Sequence, residues 1–227
     1  MIMQKKTWIA VLATLFGMNF LNAGETGRWT IVSPDSICWK VNGAHHDHIE
    51  MSGLKVSTVL RYGVNETGEW VIDRNIVLPT FRTIPNDTHA SLQHRFNGDW
   101  AYLCLVNGQP LLGEKVETIS LSGVMTVKSI YSDKGIALTR TLFPSTSYPV
   151  FCEKYELENV TDRSLTVEFP SNSLSYRTDE ARGVEGSYTL TATLSSPAKE
   201  GVCQLKAGEK ACFQVLYAGY KKNDREL

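Results

Sequence analysis

One stretch of the sequence reads Ile136-Ala137-Leu138-Thr139-Arg140-Thr141-Leu142-Phe143-Pro144. Large apolar residues alternate along it with small or polar ones, which is typical of a β-strand with one buried face, and Pro144 is suited to end such a strand. Residues 150–158, 165–169, 188–194 and 212–218 continue the strand-like pattern towards the carboxyl terminus. Because turn residues separate these segments, they predict neighbouring antiparallel strands.

The amino-terminal half is strand-like as well. Residues 28–33 and 37–41 flank Pro34-Asp35-Ser36, an arrangement that predicts a hairpin. Residues 54–64 are rich in residues that favour β-structure, and clear alternation returns over residues 115–130. These segments extend the same pattern over most of the chain.

Two regions are less regular. Residues 70–72 and 76–78 indicate two short strands, which the polar Asp73-Arg74-Asn75 separates and Pro79 closes. Residues 83–113 contain many Asn-Gly and Pro turn signals, so we expect loops with short strands there.

The strand pattern determines the expected fold class. No segment after residue 24 has helical periodicity. A single sheet of about a dozen strands would curl or split, whereas two stacked sheets bury one face of each. We therefore predict an all-β fold, a two-sheet antiparallel β-sandwich, as one domain over residues 24–220.

The composition limits the function classes. The 227 residues are 42% hydrophobic and 21% charged, which is typical of a globular protein. Lys plus Arg is 23 and Asp plus Glu is 24, so the formal net charge is −1. Without a basic surplus to attract phosphates, nucleic acid is not an expected partner.

Both ends of the chain differ from the strand-rich part. Residues 1–23 place Lys5 and Lys6 before a short apolar run that ends at Ala23, the layout of a secretory signal peptide; an uncleaved anchor is the alternative. We therefore expect export to the periplasm or the extracellular space, with no membrane span left after cleavage. Residues 221–227 are interpreted as a charged tail that could begin a linker.

The five cysteines give no metal-binding or redox signature. No Cys-x-x-Cys pair is present, so neither a zinc knuckle nor a redox dithiol is predicted, and no cofactor is expected. Cys203 and Cys212 could form a hairpin disulfide after export, which the sequence leaves open.

The densest group of functional side chains is His45-His46-Asp47-His48-Ile49-Glu50. In an extended strand, His46, His48 and Glu50 would share one face, and His45 and Asp47 the other. Two imidazoles and a carboxylate could bind a divalent metal. The alternatives are a polar loop that packs against a partner domain and a surface whose hydrogen bonds orient a sugar.

Other binding or interface candidates lie downstream. Arg82 and His89 flank a polar turn, where an arginine could brace loops through planar hydrogen bonds to carboxylates, although an ordinary surface arginine fits equally well. Trp70 and Trp100 follow turn residues, so they are the candidates for an exposed aromatic ring that stacks on a sugar. A buried packing role is the alternative for both tryptophans.

Several stretches of the chain, taken in their order along the sequence, indicate a resemblance to a known domain. They include Arg82-Thr83-Ile84-Pro85-Asn86-Asp87-Thr88-His89-Ala90 and Leu205-Lys206-Ala207-Gly208-Glu209, together with residues 41–53, 60–63, 135–145, 149–159 and 165–167. In this order they resemble the N-terminal super-sandwich domain of Bacteroides-type six-hairpin glycosidases. The resemblance covers roughly residues 27–220, and its specificity comes from the order of its parts.

The resemblance implies a function without catalysis in this chain. In such enzymes an (α/α)6 helical barrel follows the sandwich and supplies the catalytic carboxylates, and the sequence up to Leu227 contains no barrel. We therefore expect a non-catalytic module that packs against a helical-barrel catalytic domain, and we predict no catalytic residue. The alternatives are a free-standing carbohydrate-binding module, with an oligosaccharide or polysaccharide as partner, and a small sandwich enzyme that uses the His45–Glu50 cluster.

Overall fold

The computed structural model describes residues 27–84, 90–171, 173–196, 201–222 and 224. In this part of the chain the regular structure consists of antiparallel β-strands and three short 3-10 helices. The all-β fold is therefore confirmed, and the arrangement is consistent with the predicted β-sandwich. The predicted signal peptide, residues 1–23, lies outside the described residues.

The strands are numbered β1 to β17 in chain order. Nine of them form the large sheet. From one edge to the other they are β1 (Thr30–Ser33), β2 (Ser36–Lys40), β9 (Lys115–Leu121), β10 (Met125–Tyr131), β11 (Ile136–Pro144), β12 (Val150–Asn159), β17 (Lys210–Lys221), β15 (Tyr188–Ser195) and β14 (Ser173–Arg177). The predicted hairpin around Pro34-Asp35-Ser36 is confirmed as β1 and β2.

Two smaller sheets complete the fold. The front sheet contains, in order, β3 (His45–Ser52), β4 (Ser57–Val64), β5 (Trp70–Thr83) and β6 (Ala90–Asn97). The side sheet contains β16 (Val202–Leu205), β13 (Leu165–Glu168), β7 (Leu105–Val106) and β8 (Gln109–Pro110). The 3-10 helices are Trp100–Leu103, Ser132–Lys134 and Glu180–Arg182.

The main hydrophobic core lies between the front sheet and the large sheet. Phe96 of β6 packs on Tyr217 of β17 with ring centroids 5.1 Å apart, and Phe81 of β5 packs on Tyr188 of β15 at 5.2 Å. A Cβ atom on Gly219 would lie 2.1 Å from Cδ1 of Leu78. Glycine at this position therefore allows the two sheets to approach closely.

The prediction that Asp73-Arg74-Asn75 separates two strands is wrong. Strand β5 runs unbroken from Trp70 to Thr83, because the side chain of Arg74 is directed into the core while its two neighbours are directed outward. Pro79 does not end the strand either. The pairing with β6 shifts register between Leu78 and Arg82, and such a bulge accommodates a residue that has no N–H group to donate.

The region expected to contain loops with short strands, residues 83–113, includes an eight-residue strand, β6. Its inward side chains Leu92, His94 and Phe96 alternate with outward polar ones. His94 stacks on Tyr176 of β14 with ring centroids 4.0 Å apart, and burial lowers the pKa of its imidazole. Because a histidine occupies one of the core positions, the alternation is easy to overlook in the sequence.

The cysteines are unpaired, and the pairing left open for Cys203 and Cys212 does not occur. Cys203 lies in the side sheet and Cys212 in the large sheet, so the two are not partners in a hairpin. Within the described ranges, no helix is long and apolar enough to cross a membrane.

Candidate functional site

The outward surface of the front sheet, called here the polar face, carries a continuous set of hydrogen-bonding side chains. Pairing across the four strands brings them together: His48 lies opposite Arg61, which lies opposite Asp73. In the adjacent row, Glu50, Val59, Asn75 and Arg95 are aligned. The polar face therefore consists of residues His46, His48, Glu50, Val59, Arg61, Asp73, Asn75, Gln93 and Arg95.

The alternation predicted for the histidine-rich segment is confirmed. His46, His48 and Glu50 are exposed on the polar face, whereas His45 and Asp47 are half-buried on the opposite side of β3. The segment is a strand, so the interpretation of it as a polar loop is wrong. Within the described residues no group of three or more His, Cys, Asp or Glu side chains lies close enough to hold a metal ion.

Glu50 is held by its neighbours. Its Oε1 accepts hydrogen bonds from the hydroxyls of Ser57 at 2.6 Å and Ser52 at 3.0 Å. These two bonds, that from Ser57 first, lower the pKa of the Glu50 carboxyl. The carboxylate is therefore oriented by β3 and β4 and does not turn towards the imidazoles of its own strand.

The inward pair of the segment attaches the amino-terminal residues to the front sheet. Arg28 donates to Asp47 at 2.7 Å, and its guanidinium lies 5.6 Å from the ring centroid of Trp39. The ring of His45 meets Trp39 edge-on at 6.2 Å. Burial and then the charge of Asp47 raise the pKa of Tyr62 to about 12. His45 and Asp47 thus have structural roles at this edge.

A glycine on the neighbouring strand makes room for His46. A Cβ atom on Gly63 would lie 2.2 Å from the carbonyl oxygen of His45, 2.8 Å from Cα of His46 and 2.9 Å from its Cδ2 atom. Two of these atoms are backbone, so a larger residue would displace β3 from β4.

We expect Gly63→Ala to lower the free energy of unfolding by about 1–3 kcal/mol, because the added methyl group forces the two strands apart. Urea unfolding measures the loss, and hydrogen exchange should show faster exchange in β3. Gly43→Ala is the matched control, since nothing lies within 4 Å of a Cβ atom there. Equal stability of the two variants would contradict the close approach.

The polar face contains a depression of about 230 Å³, which Val59, Arg61, Asp73, Asn75 and Arg95 line. Arg95 pairs with Oδ2 of Asp73, and the Asn75 amide donates to Gln93 at 2.9 Å. In contrast, Oδ1 of Asp73 is buried without a hydrogen-bond partner. The wall of the depression therefore contains a buried acceptor whose bonding capacity is unused.

The other predicted site residues lie outside this depression. Arg82 is exposed on β5, and its carbonyl oxygen accepts a hydrogen bond from the hydroxyl of Tyr188 at 2.8 Å. His89 lies outside the described residues. The predicted members that come together on the polar face are thus His46, His48 and Glu50.

Neither of the two candidate tryptophans, Trp70 and Trp100, is exposed. Trp70 is 1% exposed and packs on Tyr62, with ring centroids 5.8 Å apart. Trp100 is 7% exposed and donates its indole N–H to the hydroxyl of Tyr217 at 2.8 Å. Both rings fill space beside turns, which is the packing alternative. Trp100 also forms part of the wall of another, largely apolar depression of about 260 Å³.

A buried cluster of charges lies between the front and large sheets. On one side, Nη2 of Arg74 donates to Glu153 Oε2 at 2.8 Å and its Nη1 donates to the carbonyl of Gly98. On the other, Arg140 contacts Asp99 at 2.7 Å and Glu114 at 2.5 Å. All of these charged side chains are at most 1% exposed.

The neighbouring carboxylates keep the guanidinium groups of Arg74 and Arg140 charged. Burial alone lowers the pKa of Arg74 and Arg140, but the adjacent carboxylates outweigh burial and raise the pKa of each well above its ordinary value. Tyr155 connects the two halves, with its hydroxyl 3.0 Å from Asp99 and 2.8 Å from Glu153. The cluster thus ties both sheets to the segment before the first 3-10 helix.

Glu153 of β12 is buried, although an acidic residue in a strand is normally expected on the solvent-exposed side. Its side chain is 0% exposed. The sequence alternation does indicate this burial, because Glu153 falls in phase with the buried Phe151 and Tyr155. Arg140 likewise falls in phase with Leu138 and Leu142.

Fold and site together define this chain as an all-β sandwich protein with a polar outer sheet face and an internal ionic cluster. The sequence matches no protein-family model and no curated protein.

Proposed function

We propose that this chain is a non-catalytic N-terminal β-sandwich module of a secreted polysaccharide-degrading glycoside hydrolase. In this proposal it packs against a helical-barrel catalytic domain and shapes one wall of the cleft. The ordered resemblance over residues 27–220 supports the proposal, and the all-β architecture agrees with it.

The observation that carries the proposal lies on the outward surface of the large sheet, called here the back face. A second apolar cluster of Val150, Ala218 and Tyr220, with Cys152 and Leu216 packed against it, is separate from the main core. All five side chains have the outward phase of β12 and β17. Val150, Ala218 and Tyr220 are only 5%, 4% and 7% exposed, so the side chains of this cluster that remain open to a partner are the half-buried Cys152 and Leu216. We assign the contact with another domain to these two side chains and the apolar end of the sheet around them.

The remainder of the back face is charged, so the apolar side chains are confined to one end of it. Farther along β12 and β17, Glu156 forms ion pairs with Lys154, at 3.1 Å, and with Lys210, at 3.0 Å. The side chains of Lys154, Glu156 and Lys210 are 48%, 29% and 52% exposed, so water solvates these charges without a covering domain. The apolar end around Leu216 is therefore the end that we assign to the catalytic domain.

The test combines this chain with the protein encoded directly after the codon for Leu227. We expect that DNA to encode a helical barrel that binds the module in calorimetry. Leu216→Glu should weaken binding at least about tenfold, because it buries an unpaired charge at the contact. Gln214→Glu, on the same strand and face but outside the apolar cluster, is the control.

Three results would contradict the proposal. One is DNA that encodes no helical barrel, and the second is a barrel that does not bind the module. The third is hydrolysis of a polysaccharide by the purified chain alone, which would place catalysis within it.

The polar face favours a second candidate function, the binding of a glycan by this module. Guanidinium, carboxylate, amide and imidazole groups on an outer sheet face suit the hydroxyl groups of a sugar. A glycan array probed with residues 24–227 tests this function. Binding to no glycan would remove it while leaving the proposed docking to a catalytic domain untouched.

A further inference from the structure

We propose that the depression on the polar face binds one uronic acid unit of an acidic polysaccharide, with the sugar carboxylate at Arg61 and a sugar hydroxyl at Asp73. This inference rests on the glycan-binding function proposed above and names its ligand class and its binding residues.

The first argument is the unused acceptor in the depression. Oδ1 of Asp73 is buried and has no hydrogen-bond partner, while Oδ2 of the same carboxylate is engaged by Arg95. A buried acceptor without a donor loses about 1–3 kcal/mol relative to a bonded one. A small side-chain shift that opens this oxygen to the depression would let a hydroxyl group of a bound sugar donate to it and remove that cost.

The second argument is a free cation beside this acceptor. Arg61 lies directly opposite Asp73 in the sheet and lines the same depression. Its guanidinium makes no ion pair with any residue that the structure describes, in contrast to Arg95. Arginine binds carboxylates through two parallel hydrogen bonds, so it is suited to the carboxylate of a uronic acid.

The third argument is the sign of the local charge. Two guanidiniums, Arg61 and Arg95, and one carboxylate, Asp73, line the depression. Because Arg95 neutralises Asp73, a net charge of one positive unit remains at Arg61. On the strand beyond it, His48 is exposed opposite Arg61 and adds no negative charge.

Glu50 is also on the polar face, but it does not line the depression, and its Oε1 is held by the hydroxyls of Ser57 and Ser52. The uncompensated charge within the depression is therefore that of Arg61, which favours an anionic sugar over a neutral one.

Size and rigidity agree with a single sugar unit. The volume of about 230 Å³ is below the roughly 300–1,000 Å³ of pockets that enclose drug-sized ligands. All the lining residues are on paired strands, and the hydrogen bond from Asn75 to Gln93 fixes one wall. The depression is thus formed before the ligand arrives, which lowers the entropic cost of binding.

The test compares each acidic oligosaccharide with its carboxyl-reduced form. Calorimetry with oligomers of galacturonate, glucuronate and mannuronate should show that the wild-type chain binds at least one of them about tenfold more tightly than its neutral counterpart. Arg61→Ala should abolish this preference. Asp73→Ala should weaken both forms, because each offers hydroxyl groups. Lys128→Ala, an exposed cation on the large sheet, is the matched control.

The outcomes separate the two proposals. If the wild-type chain binds no glycan in any form, the glycan-binding function itself fails. If it binds a glycan but does not distinguish the acidic from the reduced form, or if Arg61→Ala keeps the preference, only the inference about uronic acid is overturned. Thermal unfolding of each variant confirms that a loss of binding is not a loss of folding.

Discussion

Replacing Arg140 by methionine is expected to lower the free energy of unfolding by about 3–5 kcal/mol. The guanidinium is the shared partner of two buried carboxylates, Asp99 and Glu114. Removing it leaves both acids in the core without their cation, and a buried unpaired charge is among the most destabilising changes known for a protein. Methionine keeps most of the apolar volume, so the loss reports chiefly on the charge.

Urea unfolding at neutral pH measures this effect by linear extrapolation. Arg163→Met is the matched control, since this arginine is exposed in a turn and its replacement should change stability by no more than about 0.5 kcal/mol. A loss below about 1 kcal/mol for Arg140→Met would show that water or protonation compensates the two acids, and the cluster would not have the structural role assigned to it.

The second large effect is expected at Arg74, which pairs with Glu153 across the two sheets. Arg74→Met should cost about 3 kcal/mol, because it leaves Glu153 buried and unpaired. Replacing both members, as Arg74→Met with Glu153→Leu, should restore a large part of that loss, because an apolar pair needs no desolvation of charge.

A double-mutant cycle, with both single variants and the double variant unfolded in urea, measures this coupling. The restoration should be incomplete, since the hydroxyls of Tyr155 and Tyr217 also contact Glu153, at 2.8 Å and 3.3 Å. Purely additive losses would mean that Arg74 and Glu153 contribute independently, against the assigned ion pair.

Much of the secondary structure could be predicted because one face of most strands is apolar. The alternation in residues 136–144 and 188–194 corresponds to β11 and β15, with bounds that agree to within one residue. The errors occurred where a charged or aromatic-polar side chain is buried. Arg74 in β5 and His94 in β6 interrupt the apolar pattern. The sequence therefore predicts two strands in place of β5, and it does not assign β6 within a region expected to hold loops and short strands.

The candidate site was predictable only in part. Parity along a strand placed His46, His48 and Glu50 on one face, since that depends on neighbours in the sequence alone. Arg61, Asp73 and Arg95 carried no such signal, because they come from three strands whose register sets their contacts. Trp70 and Trp100 were open to either role, and burial decided for packing.

The sequence by itself determined the all-β class, the outward phase of the histidine strand and the separation of strands by turns. These are properties of local alternation, which depends on the geometry of one strand. Only the tertiary structure decided which charges are buried together, where the large sheet has an apolar outer cluster, and which polar side chains surround one depression. Each of these depends on pairing between residues far apart in the chain. The free energy of such a pair depends on how deeply it is buried, which the sequence of a single strand does not reveal.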